Sequence, residues 1–229
     1  MKNIIGICFV LLVTIGYSQT KKEKKAKVTS LTTGMYDGTE SDKANDLYNQ
    51  ADKKVQAEDY KGAIKLYKAA LKEDPNFVEV YDNLGLCYRR LGDFKNAIAN
   101  YNKSIEIYPK GTMAHQNLGV IYGIQKEYEK AISEYEKVQE INPDDPEGYY
   151  GTINNYLGLG KYEEAIKNAT KTVEIYEATE SPYLSEAHYL LGLCYYFNKD
   201  RDNARTYLGK ARQAGFQVPQ KLVEEMNLR

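Results

Sequence analysis

Histidine and cysteine are scarce in this chain, with two of the first and three of the second among 229 residues. That leaves little material for histidine acid–base chemistry, a clustered metal site or a disulfide framework. No nucleophile elbow, glycine-rich phosphate loop or metal-ligand motif is found in the order of residues. Excess charge of one sign is absent too. Lys and Arg number 31 against 32 Asp and Glu, for a formal net charge of −1, so there is no electrostatic footprint for nucleic acid. Long apolar runs are missing beyond residue 15. The one such run, residues 4–15, holds about 12 residues, against the ~20 needed to span a bilayer. Enzymatic chemistry, cofactor binding and nucleic-acid recognition therefore rank low.

That apolar run has the layout of a secretory signal. Lys2 supplies the positive start, and Gly16 and Ser18 are small residues at the two positions a signal peptidase reads. We place cleavage after Ser18, with a retained anchor as the alternative. Losing Lys2 takes the formal charge from −1 to −2. No further membrane segment is expected in the mature chain. Cys8 is a poor lipoprotein acceptor because Ile7 precedes it where a small residue is needed. Residues 19–40 show no helical stripe, carry Gly34 and Gly38, and read as a flexible polar tether. Their basic run (Lys21, Lys22, Lys24, Lys25 and Lys27) can touch an acidic partner or anionic lipid, though more often such a run is a solvated leader.

Beyond the tether the chain echoes itself. Tyr81, Leu84, Gly85 and Tyr88 return after 34 residues as His115, Leu118, Gly119 and Tyr122, and Ala97, Tyr101 and Pro109 as Ala131, Tyr135 and Pro143. Ala63, Ala97, Ala131 and Ala165 keep multiples of 34, and Ala204 follows after 39, so one boundary carries five extra residues. A fixed period of this length marks a solenoid, whose units bury their apolar faces only by stacking. Apolar residues three to four apart, such as Ala63, Ile64, Tyr67, Ala70 and Leu71, form one face of an amphipathic helix. Gly92-Asp93 separates the helices of the second repeat, with Asp93 placed to cap the next helix. Pro75, Pro109 and Pro143 separate repeats. Gly85, Gly119 and Gly192 sit inside helices, where glycine costs about 1 kcal/mol against alanine, and close approach of a neighbouring helix is the expected compensation.

The repeat positions also account for the scarce residues. Of 22 tyrosines, twelve fall at four repeat positions, as knobs between packed helices. His115 and His188 share the position of Tyr81 and Tyr149, so packing rather than catalysis is expected of them. Cys87 and Cys194 share another, three repeats apart. Helices packed at about 8–10 Å put them far beyond the ~7 Å reach of a disulfide. At the end, Pro219 can open a helix whose apolar stripe is Leu222, Val223 and Met226, a cap for the last repeat.

The pattern of an aromatic, Leu-Gly, Tyr, Ala, an aromatic and Pro resembles the tetratricopeptide repeat. Repeats two and three match nearly everywhere. Gln50 and Lys54 in the first, Thr152 and Ile153 in the fourth and Arg201 in the fifth depart from it. The resemblance covers residues 41–217 and implies an all-α, right-handed solenoid of about five helix-turn-helix repeats. Their spans are about 44–77, 78–111, 112–145, 146–184 and 185–217, with a capping helix at 218–229. The leader joined to such an array resembles exported bacterial proteins, with periplasm, cell surface and medium all open.

In that family the first helix of each repeat lines a concave groove. Carried over by position, the candidate groove residues are Tyr48 and Asn49; Asp82, Asn83, Leu86 and Arg89; Gln116, Asn117 and Val120; Tyr150 and Asn154; and Tyr189, Leu193 and Tyr196. Asn49, Asn83 and Asn117 form a column of amides suited to an extended peptide backbone, or a family habit with no specific role. Glu79, Glu147 and Glu186 recur at one edge and suit lysines on a partner. Tyr150, Tyr189, Leu193 and Tyr196 make the last two repeats the expected aromatic anchor. The five extra residues near 178–182 either lengthen a loop beside that anchor or extend a helix end. The basic clamp that the chaperone-binding branch uses is not reproduced.

The resemblance thus implies a non-enzymatic adaptor or scaffold of the cell envelope, taking a protein or peptide segment in its groove and needing no cofactor or metal. A self-associating structural protein, a homo-oligomer, is the second reading. A glycan-binding module built on Tyr150, Tyr189 and Tyr196 is the third.

Overall fold

The computed structural model describes residues 38–228. The leader at 1–18 and most of the tether lie outside the described residues. Eleven helices and no strand are found among the described residues. They form five antiparallel pairs: α1 (Asp42–Gln56) with α2 (Tyr60–Glu73), α3 (Val78–Arg90) with α4 (Phe94–Ile107), α5 (Thr112–Ile124) with α6 (Tyr128–Ile141), α7 (Pro146–Leu159) with α8 (Tyr162–Ala178), and α9 (Leu184–Phe197) with α10 (Arg201–Gln213). A short α11 (Gln220–Glu225) closes the array. The expected all-α solenoid with a terminal cap is the observed fold.

Local chemistry explains where the helices start and stop. Asp59, Asp93 and Asp200 occupy one repeat position, and each carboxylate accepts the backbone N–H three residues on. Those bonds, joined at Asp93 and Asp200 by the asparagine side chains, hold all three carboxyls below the ordinary aspartate range. The same position holds Glu127 and Lys161 in the other two pairs, without a side-chain cap. The residue just before it is left-handed in every pair: Glu58, Gly92, Lys126, Gly160 and Lys199 have φ between 60° and 77°. Only two of the five are glycine, so three residues carry a Cβ in a conformation that costs roughly 1–2 kcal/mol. A backbone bond across each turn, such as Asp93 N–H to Tyr88 O, holds it in place.

The alanine column sets the packing. Ala63, Ala97, Ala131, Ala165 and Ala204 have no exposed surface. Four helical glycines, Gly85, Gly119, Gly151 and Gly158, answer to a tyrosine. A Cβ on Gly85 would sit 2.5 Å from the Tyr101 ring, and one on Gly119 would sit 2.7 Å from the Tyr135 ring. The other edge of Tyr135 lies against Gly151 of the next repeat. At Gly192 the obstacle is helix backbone, as expected, with the Leu208 nitrogen at 2.9 Å. Of the five extra residues, three lengthen α8, which has 17 residues where α2, α4 and α6 have 14. The tether is fastened at its end, where the Thr39 hydroxyl donates to Asp74 at 2.5 Å.

Candidate binding groove

First helices of successive repeats touch one another, α3 with α5, α5 with α7 and α7 with α9. Each second helix packs against the first helix of the next repeat. The first helices therefore line the inside of the curve, where the candidate residues were placed. The structure treats them in three groups.

At the first repeat the inner face is tied to itself. Tyr48 is only 8% exposed, with its ring 5.1 Å from Phe77 and 5.9 Å from Tyr67. Its hydroxyl accepts from the Asn83 amide at 3.2 Å, and Tyr67 donates its hydroxyl to Asp52. Burial raises the Asp52 carboxyl against the pull of those phenols. The expected amide column is thus broken up: Asn83 serves Tyr48, Asn117 donates to its own helix at Met113 O (2.9 Å), and Asn49 is exposed. Asp82, 1% exposed, is part of the floor and not a lining contact. Arg89 and Asp82 both act on the buried Tyr101 phenol, which burial pushes up.

The middle is open. Leu86, Val120 and Asn154, one column from α3 to α7, are each partly exposed, with Arg89 one turn beyond Leu86. Gln116 crosses to the next repeat, donating to Asp145 at 3.0 Å. Beyond it Tyr150 donates to Glu186 at 2.7 Å. Glu147 is solvent-exposed, yet it sits deep in the inner curve. That enclosure, with Asp145 and Glu186 near it, raises its carboxyl above the ordinary range.

The last repeat corrects the expected aromatic anchor. Tyr189 is 5% exposed, with Phe216 stacked on it at 4.6 Å between centroids, and Leu193 is 1% exposed. Tyr196 donates to Glu225 of α11 at 2.9 Å. Arg201, Arg205 and Arg212 bind the carbonyls of Glu225, Met226 and Leu228. Residues 225–228 of the C-terminal segment thus lie against the last repeat. Tyr48, Asp82, Tyr189 and Leu193 are therefore core residues and not free groove contacts.

Family models described as tetratricopeptide repeat match residues 48–112, 113–145 and 153–214. The chain is a tetratricopeptide repeat protein. A crystal structure of MamA is 30% identical, with a TM-score of 0.64, covering 72% of this chain and 93% of that one. MamA 41-end from Desulfovibrio magneticus RS-1 is 23% identical, with a TM-score of 0.68 over 77% and 97% of the two chains. Pseudomonas aeruginosa PilF is 17% identical, with a TM-score of 0.68 over 81% and 82%. At these last two identities the likeness is one of fold. No match was found among curated proteins. Tetratricopeptide repeat proteins are typically non-enzymatic adaptors that bind protein partners, and the shared fold supports a protein-interaction scaffold here.

The scarce residues of this repeat protein stand as packing predicts. His115 is buried, with Nδ1 2.7 Å from Glu134, and His188 is buried with Glu177 at 3.6 Å. Burial and nearby Lys210 lower the His188 imidazole. Cys87 and Cys194 are free and buried, and burial pushes the Cys87 thiol up to about 12. No helix among the described residues is long and apolar enough to cross a membrane. Residue-by-residue reading missed Asp145 and Tyr176. Asp145 caps α7 with Pro146 in its first turn, a readable start signal. Tyr176 belongs to the lengthened end of α8, which no family position anticipates.

Proposed function

We propose that this chain is an envelope adaptor that holds a protein or peptide segment along the inner face of α3, α5 and α7. The observation that carries this reading is the open column of Leu86, Val120 and Asn154 between two self-covered ends. Side chains left partly exposed in a concave strip gain contact area from an added partner. The leader at 1–18 supports an exported location.

Crosslinking the tagged chain in its own cells, beside a Leu86→Lys, Val120→Lys variant of unchanged helicity, tests the reading. The captured set is expected to lose a member with the groove variant and to keep it with the outer-face variant Lys137→Glu. Identical capture by all three chains refutes groove binding and returns self-association through the ends or outer face to first place. The glycan reading loses support because Tyr189 is stacked under Phe216 and Tyr196 is tied to Glu225.

A further inference from the structure

The chain is nearly balanced in charge, with 31 basic and 32 acidic residues, but its inner face is not. The charged residues there are Asp52, Glu79, Asp82, Glu147 and Glu186 against Arg89 and Arg90. The surplus lies at the fourth and fifth repeats, where Asp145 and Glu186 are near enough to act on Glu147 without converging as tightly as metal ligands. Asp145 and Glu186 accept from neutral donors, Gln116 and Tyr150. Among the described residues no lysine, arginine or histidine pairs with any of the three carboxylates. A neutral donor satisfies a lone pair and leaves the full negative charge in place. Like charges that act on one another inside a curve cost stability unless a cation comes to them.

A second observation points the same way. Tyr176 is 5% exposed, and among the described residues its hydroxyl makes no hydrogen bond. It faces this cluster, since Glu147, Glu186 and Asp145 all act on its phenol. Its ring lies 6.3 Å from that of Tyr183, tilted by 45°. A phenol hydroxyl without a partner in the chain, beside carboxylates that no cation pairs with and with a second ring nearby, matches what a bound ammonium or guanidinium requires: acceptors for its N–H groups and an aromatic face. A metal ion is a poorer fit, because no three His, Cys, Asp or Glu side chains among the described residues are grouped to hold one.

Building on the groove reading above, we propose that the cleft between α7 and α9 is the anchor for a lysine or arginine side chain of the bound segment, held by Glu147, Glu186 and Asp145 against Tyr176. The partner is therefore a segment with basic residues, and the open column toward α3 takes the less charged stretch beside them.

The test is fluorescence anisotropy of the full chain with labelled short peptides in which alanine alternates with lysine, glutamate or serine. The lysine peptide is expected to bind, and Glu147→Gln and Glu186→Gln each to weaken it roughly tenfold. Glu163→Gln, on the exposed start of α8, is expected to leave it unchanged. Equal weakening by Glu163→Gln marks generic charge attraction and overturns the proposal, as does serine or glutamate peptide binding as tightly as lysine. If no peptide binds but Glu147→Gln lowers the chain's concentration-dependent mass, the occupant is a second copy, and a free basic segment is ruled out. Failure of the lysine peptide while groove-dependent capture in cells persists overturns this inference alone. Loss of that dependence removes the groove reading itself.

Discussion

Replacing Gly192 and Gly209 by alanine, one at a time, separates two energies that a single substitution mixes. Both glycines lie inside helices of the last repeat, Gly192 in α9 and Gly209 in α10. Both replacements gain the same intrinsic preference of alanine for helix, about 1 kcal/mol. Only one of them meets an obstacle. A Cβ at 192 would lie 2.8 Å from Leu208 Cγ and 2.9 Å from its backbone nitrogen, whereas at 209 nothing lies within 4 Å. The backbone nitrogen cannot rotate aside, so α9 and α10 must separate, at an overpacking cost of about 1–3 kcal/mol. Gly209→Ala is therefore expected to stabilise by about 1 kcal/mol, and Gly192→Ala to destabilise by up to about 2 kcal/mol. Because the propensity gain cancels, the difference between the variants is the overpacking cost itself. Urea titration followed by far-ultraviolet circular dichroism, paired with thermal melting, reads both signs. A shift of roughly 2–4 °C per kcal/mol is expected for a chain of this length. Repeat arrays can unfold from one end, so the midpoint of the earliest transition is the quantity to compare. If Gly192→Ala is as stable as Gly209→Ala, the last pair is looser than the geometry requires, and the account of glycine as a close-approach residue fails there.

Three further outcomes follow from single features. Lys126→Gly removes a Cβ from a left-handed turn at φ 62° and is expected to raise stability by about 1 kcal/mol, measured by urea midpoint. A decrease would show that the Lys126 side chain does more than tolerate the turn. Asp93→Ala removes the cap of α4 and is expected to lower the melting temperature at neutral pH. The Asp93 carboxyl titrates below its unfolded value, so its contribution is full above about pH 4 and is lost as pH falls through the folded value. The gap between native chain and variant should therefore close in acid, and a gap that persists there would refute the assignment. Phe216→Ala uncovers Tyr189 and is expected to cost about 2–3 kcal/mol while making that tyrosine reactive to tetranitromethane. Unchanged reactivity would show that α11, and not Phe216, covers the end.

Where one residue type alone satisfies a constraint, the fold was legible in the residues. The alanine column could be read because only a small side chain fits where the two helices of a pair cross, and the column continues past the five-residue insertion, which widens its last interval to 39. The closing helix could be read because Leu222, Val223 and Met226 are apolar on one side only. Asp93 could be read as a cap because its carboxylate has a free N–H within reach. The insertion was less legible. Nothing in residues 175–182 separates three more residues of helix from a longer loop, since Tyr176, Glu177 and Ala178 suit both. The lengthened end of α8 brings Tyr176 beside Tyr183 on the approach to α9, a pairing that exists only once both helices are placed.

The groove was legible as a location and not as an inventory, for a physical reason. Position in a repeat decides which way a Cβ points, but a polar atom is committed by rotamers and by neighbours about 35 residues away in sequence. Asn83 was placed correctly on the inner helix, and its amide is spent on Tyr48. Tyr189 was placed correctly as well, and Phe216 from beyond the repeats covers it. At both ends of the described array inner aromatic residues are covered by other parts of the chain, Tyr48 by Phe77 and Tyr189 by Phe216. Between them Leu86, Val120 and Asn154 remain partly exposed. The acidic residues divide in the same way. Asp52, beside the first repeat's core, is supplied with phenol donors by Tyr67 and Tyr48, whereas Glu147, further along the inner face, keeps a solvent-exposed carboxylate with Asp145 and Glu186 for company. A charge retained in a concave site without its counter-ion is costly to the free chain and favourable to a cationic partner. Self-coverage at the ends and unmet charge at the fourth and fifth repeats together narrow the segment that fits to one that reaches from the Leu86 column to the Glu147 cleft.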